Sequence, residues 1–231
     1  MNKFGLNSMR WSWKELLQLL FLTLVIVPFL VEFLLQNALY VLFQNSLYSG
    51  TLTGLVMAIV FVLGVYFIAL KPHGLSWNAV GLHSFSKEYW KSILYCIVIL
   101  AIGSVLILGI MGWFNVGWEN KKTQSLQDHM TFFTFLVGFL SAAVISPLYE
   151  EIFYRGFLYK WFRVKWGIGA AVMISSLIFT IVHIPTYNTL PVNFFTGIVL
   201  SWVYEKSGSI WPGIIIHGTV NGLAVILTAF S

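Results

Sequence analysis

The sequence predicts an all-α membrane protein, a polytopic transmembrane helical bundle of about seven spans, or roughly six to eight. Of its 231 residues, 58% are hydrophobic and only 9% are charged, whereas a soluble domain carries about 25% charged residues. Several apolar stretches reach the roughly 20 residues that a helix needs to cross a bilayer. No polar stretch is long enough to form a separate soluble core. We therefore expect one integrated, multi-pass bundle in the cell membrane.

The candidate spans follow one another along the whole chain. The first is interpreted as a retained helix and not as a signal peptide, because no small-residue cleavage site follows it. The fourth contains Pro147, which predicts a kink because proline cannot complete the helical hydrogen-bond ladder, and the sixth is short. In order, the spans are 16–36, 51–70, 92–112, 131–159, 168–184, 191–204 and 210–230.

Lysine and arginine are distributed unequally between the loops. The N-terminal side of the bundle holds Lys3, Arg10, Lys14, Lys71, Lys87, Lys91, Lys160, Arg163, Lys165 and Lys206, and the other side holds only Lys121 and Lys122. Cytoplasmic loops carry an excess of these residues, so the N-terminus is predicted to be cytoplasmic. The net charge of +5 then reflects topology and contact with the lipid bilayer. A nucleic-acid partner would require a basic patch with base-reading side chains, and the sequence shows none, so nucleic acid is not expected as a partner.

Three short polar motifs interrupt the late apolar spans. They are Glu150-Glu151-Ile-Phe-Tyr-Arg155, Phe179-Thr-Ile-Val-His183 and His217-Gly-Thr-Val-Asn221. A charged side chain at membrane depth costs about 3 kcal/mol or more and marks a functional site by default. Glu151 and His183 both lie about 21–24 Å from the turn between the fourth and fifth spans. We therefore expect the motifs to meet in a cavity that opens from the cytoplasmic side.

The spacing within the first and third motifs suggests a role for each polar side chain. Glu151 and Arg155 are four residues apart, so they share a helix face and form an ion pair. Glu150 points about 100° away, and a carboxylate without a counterion in an apolar cavity can act as a general base. His217 and Asn221 also share one face, where two donors can stabilise a developing oxyanion. This combination of groups suits water-activated hydrolysis.

Phe179 and three serines of the late spans are assigned supporting roles. Phe179 shares a face with His183, so its ring can orient or shield the imidazole. Ser141, Ser146 and Ser201 are interpreted as helix-packing residues. Because the three motifs contain no serine, cysteine or aspartate, serine, cysteine and aspartyl mechanisms are disfavoured.

A metal-dependent alternative stays open at this point. A catalytic zinc ion requires about three protein ligands and an open position, and His183, His217 and one glutamate can supply the ligands. No HExxH motif is present, and Asn221 beside His217 suits an oxyanion role better than a metal site. The favoured prediction is therefore a site without metal or other cofactor, with zinc as the alternative.

The ordered motifs resemble those of the CAAX-protease and bacteriocin-processing family (CPBP, or Abi) of intramembrane peptidases. That family carries EExxxR, then FxxxH, then HxxxN or HxxxD, on successive late helices. The resemblance covers about residues 131–228 and includes the stretches 153–157 and 204–221. It implies a glutamate-type peptidase, formerly considered a metalloprotease, that hydrolyses a peptide or membrane-protein substrate. Relatives process prenylated CAAX peptides in eukaryotes, and in bacteria they have proposed roles in bacteriocin immunity and signalling-peptide processing.

The resemblance also implies residue roles and a division of the chain. Activation of water would fall to Glu150 and His183, the oxyanion to His217 and Asn221, and support of the site to Glu151, Arg155 and Phe179. Residues 1–130, with spans one to three, would form a variable N-terminal scaffold. Residues 131–231, with spans four to seven, would form the catalytic helical core.

Two other functional classes compete with the peptidase prediction. A non-catalytic membrane adaptor or immunity protein of the same family would keep the fold and bind without hydrolysis; the intact motifs disfavour it. A small-solute or ion transporter would use the same ionisable groups as a proton relay. A transporter of that kind is usually built from two structural repeats, and confinement of the polar groups to the second half disfavours it.

Overall fold

The computed structural model describes residues 11–117, 124 and 131–230, and within these residues all regular structure is helical. The predicted all-α bundle is therefore confirmed. Lys3, Arg10, Lys121 and Lys122 lie outside the described residues, so the cytoplasmic N-terminus stays a prediction. The described helices are α1 (Trp13–Phe43), α2 (Ser46–His73), α3 (Tyr89–Trp113), α4 (132–166), α5 (168–181), α6 (Leu190–Ser207) and α7 (Trp211–Ala229).

The long helices have the length and apolar composition of membrane spans. Five helical segments can each cross a membrane by these two properties. They are α1, α2, α3, α7 and the continuous segment Phe132–Ile181. That last segment contains both α4 and α5, as the predicted fourth and fifth spans require. The large apolar side chains of α1 and α3 are mostly exposed on the bundle surface, as is expected where they contact lipid and not water. The chain is a multi-pass membrane protein.

The first helix shows how local sequence sets the helix boundaries. Ser12 caps α1, since its hydroxyl accepts from the Lys14 amide at 3.1 Å and its own amide donates to Glu15 at 2.6 Å. This is a capping box, which satisfies amide groups that a helix start otherwise leaves unpaired. Further along, α1 widens into a π-helix over Leu22–Leu35, which contains Pro28. Proline has no amide hydrogen to give, so the irregular stretch accommodates it.

Helices α4 and α5 form the hairpin that carries the first two motifs. Gly167 has φ 83° and ψ 178°, a conformation open mainly to glycine, and it reverses the chain between the two helices. On the α4 side, a short α-helical stretch Ser146–Glu150 leads into a π-helix over Glu151–Tyr159. Such π segments occur often at functional sites, and this one begins between the two adjacent glutamates.

The basic end of the bundle is held together by polar contacts between distant segments. Lys160 donates from Nζ to the Ala79 carbonyl at 2.8 Å. Arg163 and Tyr159 both bond Glu205 of α6, at 3.1 Å and 2.7 Å. The loop after α2, the end of α4 and the end of α6 therefore meet at one end. The lysine and arginine distribution predicts that these three segments lie on one side of the membrane, and their contacts agree with that grouping.

Small residues let α7 and α6 approach the hairpin closely. A Cβ atom added to Gly218 of α7 would lie 2.2 Å from the Ala143 carbonyl oxygen of α4. A Cβ added to Gly197 of α6 would lie 2.8 Å from the Ser176 Cβ of α5. Close backbone approach through small residues is typical of membrane helix packing. It fixes α7 so that His217, the residue before Gly218, faces the paired glutamates.

Candidate active site

Two adjacent buried carboxylates lie against one imidazole at the centre of the bundle. Glu151 Oε1 lies 3.2 Å from Nδ1 of His217, and Glu150 Oε2 lies 3.8 Å from its Nε2. All three residues are less than a tenth exposed. Each nitrogen of His217 therefore faces its own glutamate.

Glu151 connects His217 to a fully buried guanidinium. Its Oε1 accepts from Arg155 Nη1 at 2.8 Å in addition to its contact with His217. Arg155 also donates from Nη2 to the Gly197 carbonyl at 3.4 Å, and its guanidinium lies 4.6 Å from the centroid of the Phe179 ring. We predicted the Glu151–Arg155 pair from the sequence, but we did not predict the bond from Glu151 to the imidazole. With Nδ1 engaged by Glu151, Nε2 is the nitrogen that faces Glu150.

Glu150 is held by Ser146, for which the sequence predicts a helix-packing role. Ser146 donates from Oγ to Glu150 Oε1 at 2.5 Å, and Tyr149 lies beside it, with its hydroxyl 3.3 Å from Ser146 Oγ. Glu150 Oε2 is buried and accepts no hydrogen bond from the described residues. One carboxylate oxygen is thus fixed, and the other is able to accept a proton. The i,i+4 spacing of Ser146 and Glu150 was the sequence signal for this contact.

Phe179 lies between the two histidines. Its ring centroid is 4.9 Å from that of His183 and 5.9 Å from that of His217, edge-on in both cases. His183 is partly exposed, and its Nδ1 lies 2.7 Å from the Phe179 carbonyl oxygen. A carbonyl only accepts, so Nδ1 carries a hydrogen in this contact. The motifs that hold the two histidines therefore meet around this ring.

Asn221 lies one turn beyond His217 on α7 and is partly exposed. Its amide donates from Nδ2 to the Ala142 carbonyl of α4 at 3.1 Å. That bond uses one of the two amide hydrogens and leaves the other for a further acceptor. The contact ties α7 to α4 directly, and it also restricts the orientation of the Asn221 amide.

Zinc stays the alternative to the metal-free prediction. Among the described residues, no group of three or more His, Cys, Asp or Glu side chains is placed to hold a metal ion. A zinc site requires about three protein ligands. Chelation tests this directly.

Gly213 gives a first prediction about the packing of the site. A Cβ added there would lie 2.7 Å from Oε2 of Glu151, which is held on its other oxygen and cannot retreat freely. We expect Gly213→Ala to lower the free energy of unfolding by about 1–3 kcal/mol through overpacking. Gly112→Ala in α3 is the matched control, since nothing lies within 4 Å of the added atom. Melting temperatures in detergent measure both; equal values for the two variants would contradict this packing.

Comparison with known proteins shows that a large part of the second half of the chain is similar to a peptidase family. The family described as "Type II CAAX prenyl endopeptidase Rce1-like" matches residues 131–223. The UPF0177 protein YbdI of Lactococcus lactis subsp. lactis (strain IL1403) is 28% identical over 114 residues, which are 47% of this chain and 57% of that protein. The membrane-embedded CAAX protease MroQ of Staphylococcus aureus (strain USA300) is 28% identical over 152 residues, which are 61% of this chain and 59% of that protein.

These matches extend over somewhat more than half the length of each of the two relatives. No solved structure matches the chain. The matched segment contains all three motifs, the two buried glutamates and the helices that bring them together. Residues 131–223 are thus similar to the Rce1-like CAAX protease family of membrane peptidases.

Proposed function

We propose that the protein is an intramembrane endopeptidase in which Glu150 activates water for hydrolysis of a peptide bond. The observation that carries this proposal is the arrangement of Glu150, with Oε1 bonded to Ser146 and Oε2 directed towards Nε2 of His217. A general base must present an oxygen that can take a proton within reach of the nucleophile. Oε2 is such an oxygen, and it lies beside groups that can donate to the carbonyl oxygen.

In the first chemical step, Glu150 takes a proton from water and the oxygen attacks the carbonyl carbon of the scissile bond. His183 assists by accepting a hydrogen bond from the water through Nε2. The carbonyl oxygen becomes an oxyanion, which Asn221 stabilises as a donor. His217 stabilises it as a second donor through Nε2 when both ring nitrogens carry hydrogen, because Nδ1 donates to Glu151. Preorganised donors of this kind each contribute about 10²- to 10³-fold to the rate.

In the second step, the tetrahedral intermediate collapses and the bond from carbon to nitrogen breaks. Glu150 returns the proton to the leaving nitrogen, so the products are a carboxylic acid and an amine, and the base is regenerated. Glu151 holds His217 throughout by its bond to Nδ1, and Arg155 balances the charge of Glu151. The Phe179 ring separates the imidazoles and excludes water from the guanidinium. This division of roles uses no metal and no other cofactor.

The proposed substrate is a peptide or a membrane protein that reaches the site from the cytoplasmic side. The relative from Staphylococcus aureus is named a CAAX protease, so a C-terminal peptide, with or without a prenyl group, is one substrate to try. The basic end of the bundle would face the cytoplasm under the predicted topology. The N-terminal half would act as the scaffold that holds the catalytic helices.

Cleavage of a mixed peptide library tests the proposal. The purified protein in detergent is incubated with the library, with and without a strong chelator, and products are identified by mass spectrometry. We expect internal cleavage that survives chelation. Loss of cleavage on chelation and its return with zinc would overturn the metal-free mechanism. Absence of cleavage, with both plain and prenylated peptides and in reconstituted vesicles, would favour the non-catalytic adaptor.

Asn221 offers a test of the oxyanion assignment. In Asn221→Ala the amide donor is lost, and we expect kcat to fall by about 10²- to 10³-fold at nearly unchanged KM. A purely structural role, through the bond to the Ala142 carbonyl, would instead lower the melting temperature and leave kcat nearly unchanged. Steady-state kinetics and thermal unfolding of the same preparation separate the two roles.

A further inference from the structure

Ser146 differs from several other hydroxyl residues of the bundle in the acceptor of its hydrogen bond. The buried Ser175 and Thr180 and the exposed Thr219 each donate to the backbone carbonyl four residues earlier in their own helix. That is the usual arrangement for a hydroxyl in an apolar helix, because it satisfies the group locally. The hydroxyl of Ser146 instead donates to the side chain of Glu150, at 2.5 Å. Its role is therefore tied to that carboxylate.

The direction of the proton in this contact follows from the partners of Ser146. A serine hydroxyl has one hydrogen to donate, and a carboxylate oxygen can only accept it. Ser146 Oγ must then act as acceptor in its 3.3 Å contact with the Tyr149 hydroxyl. Tyr149 and Ser146 therefore form a short chain of donors that ends on Oε1 of Glu150. Donation to a charged acceptor is about twice as strong as a neutral bond, so Ser146 is the principal link.

The local backbone fixes where Ser146 stands. The α-helical stretch Ser146–Glu150 begins at this serine, directly after a π-helix over Ser141–Ile145, and Pro147 is its second residue. The stretch also places Ser146 and Glu150 four residues apart on one face. Because Ser146 holds Oε1, rotation of the carboxylate is restricted and Oε2 stays directed towards His217 Nε2 at 3.8 Å.

We propose that Ser146 is a positioning residue for the general base, holding Glu150 so that Oε2 alone is presented to water. This inference rests on the proposed peptidase function. Ser146 does not touch the reacting atoms and takes up no proton; it acts through the carboxylate. It belongs to the site, although no motif contains it, and it replaces the helix-packing role expected from the sequence.

The test compares two variants of equal shape, Ser146→Thr and Ser146→Val. Both add a methyl group at the same position, but only threonine keeps the hydroxyl. Kinetics use a quenched fluorescent peptide chosen from the library products. We expect Ser146→Thr to keep kcat within about threefold of the wild type and Ser146→Val to lose about 10- to 100-fold in kcat, with KM nearly unchanged. Ser175→Ala, a buried hydroxyl outside the site, should retain wild-type kinetics.

A second readout does not depend on turnover. Dicyclohexylcarbodiimide, an apolar reagent, couples to carboxyl groups within membranes, and mass spectrometry of fragment ions resolves Glu150 from Glu151. Labelling of Glu150 should be about tenfold faster in Ser146→Val than in Ser146→Thr, because the hydroxyl no longer occupies Oε1. Glu151, bonded to Arg155 and His217, serves as the internal reference and should label equally in both variants.

The two readouts distinguish failure of this inference from failure of the peptidase proposal. Equal kcat and equal Glu150 labelling in the threonine and valine variants would overturn the positioning role. Differential labelling without peptide cleavage by any variant, wild type included, would support the Ser146–Glu150 contact and overturn the peptidase proposal. Differential labelling together with a loss confined to kcat supports both.

Discussion

Replacement of Glu150 with glutamine is expected to reduce peptide hydrolysis by about 10²- to 10⁴-fold and to leave the bundle folded. The amide has no basic oxygen to take a proton from water. It has almost the volume of the carboxylate, and its carbonyl oxygen can still accept from Ser146, so the packing around it persists. Initial rates on an identified peptide, with the melting temperature in detergent measured alongside, give both halves of the result.

Glu205→Gln is the matched control for that loss. Glu205 is a partly buried carboxylate, as Glu150 is a buried one. It bonds Arg163 and Tyr159 at the basic end of the bundle, away from the histidines. Its replacement removes a carboxylate without touching the site, and we expect hydrolysis to continue. A Glu150→Gln protein that cleaves as fast as the Glu205→Gln protein would show that Glu150 is not the base.

Arg155→Ala is expected to have the largest effect on stability. Arg155 is 1% exposed and Glu151 is fully buried, so the substitution leaves a carboxylate without its cation in an apolar interior. Removing one partner of a buried pair costs about 3–5 kcal/mol, and the cation–π contact with Phe179 is lost as well. We expect lower yield and a lower melting temperature. Activity should fall too, because Glu151 positions His217.

A double variant separates the buried charge from the loss of side-chain volume. Arg155→Met combined with Glu151→Gln removes both charges and keeps most of the volume, and replacing a buried ion pair in this way is often nearly neutral. We expect the double variant to melt well above Arg155→Met alone. A double-mutant cycle that gives simple additivity would contradict energetic coupling between the two residues.

The sequence was sufficient to predict the bundle and the residues of the three motifs. Long apolar stretches determine helices in a membrane, and ionisable residues within them are rare enough to stand out, as Glu150, His183 and His217 did. The i,i+4 spacing of Glu151 and Arg155 predicted their ion pair, since it depends only on helix geometry. Ser146 had the same spacing from Glu150, but serine is common at helix contacts, and spacing alone did not indicate a bond to the carboxylate.

Contacts between helices could not be predicted in the same way. The bond from Glu151 to His217 depends on the rotation and depth of α7, which are set where Gly218 meets the Ala143 backbone. Estimates of depth from turn positions carry an error of about one helical turn, roughly 5 Å, which exceeds the length of a hydrogen bond. The π-helical geometry that begins at Glu151 also rotates the following side chains around the helix axis, and no residue pattern in the sequence predicts that rotation.

Hydrolysis in ¹⁸O-labelled water is the most direct measurement of the central claim, that Glu150 activates water for peptide cleavage. Wild-type protein and the Glu150→Gln variant would each be incubated with an identified peptide in labelled water, in the presence of chelator. We expect the wild type to place one heavy oxygen in the new carboxyl group and the variant to form almost no product. Labelled product formed equally by both proteins, or no product from either, would contradict that claim.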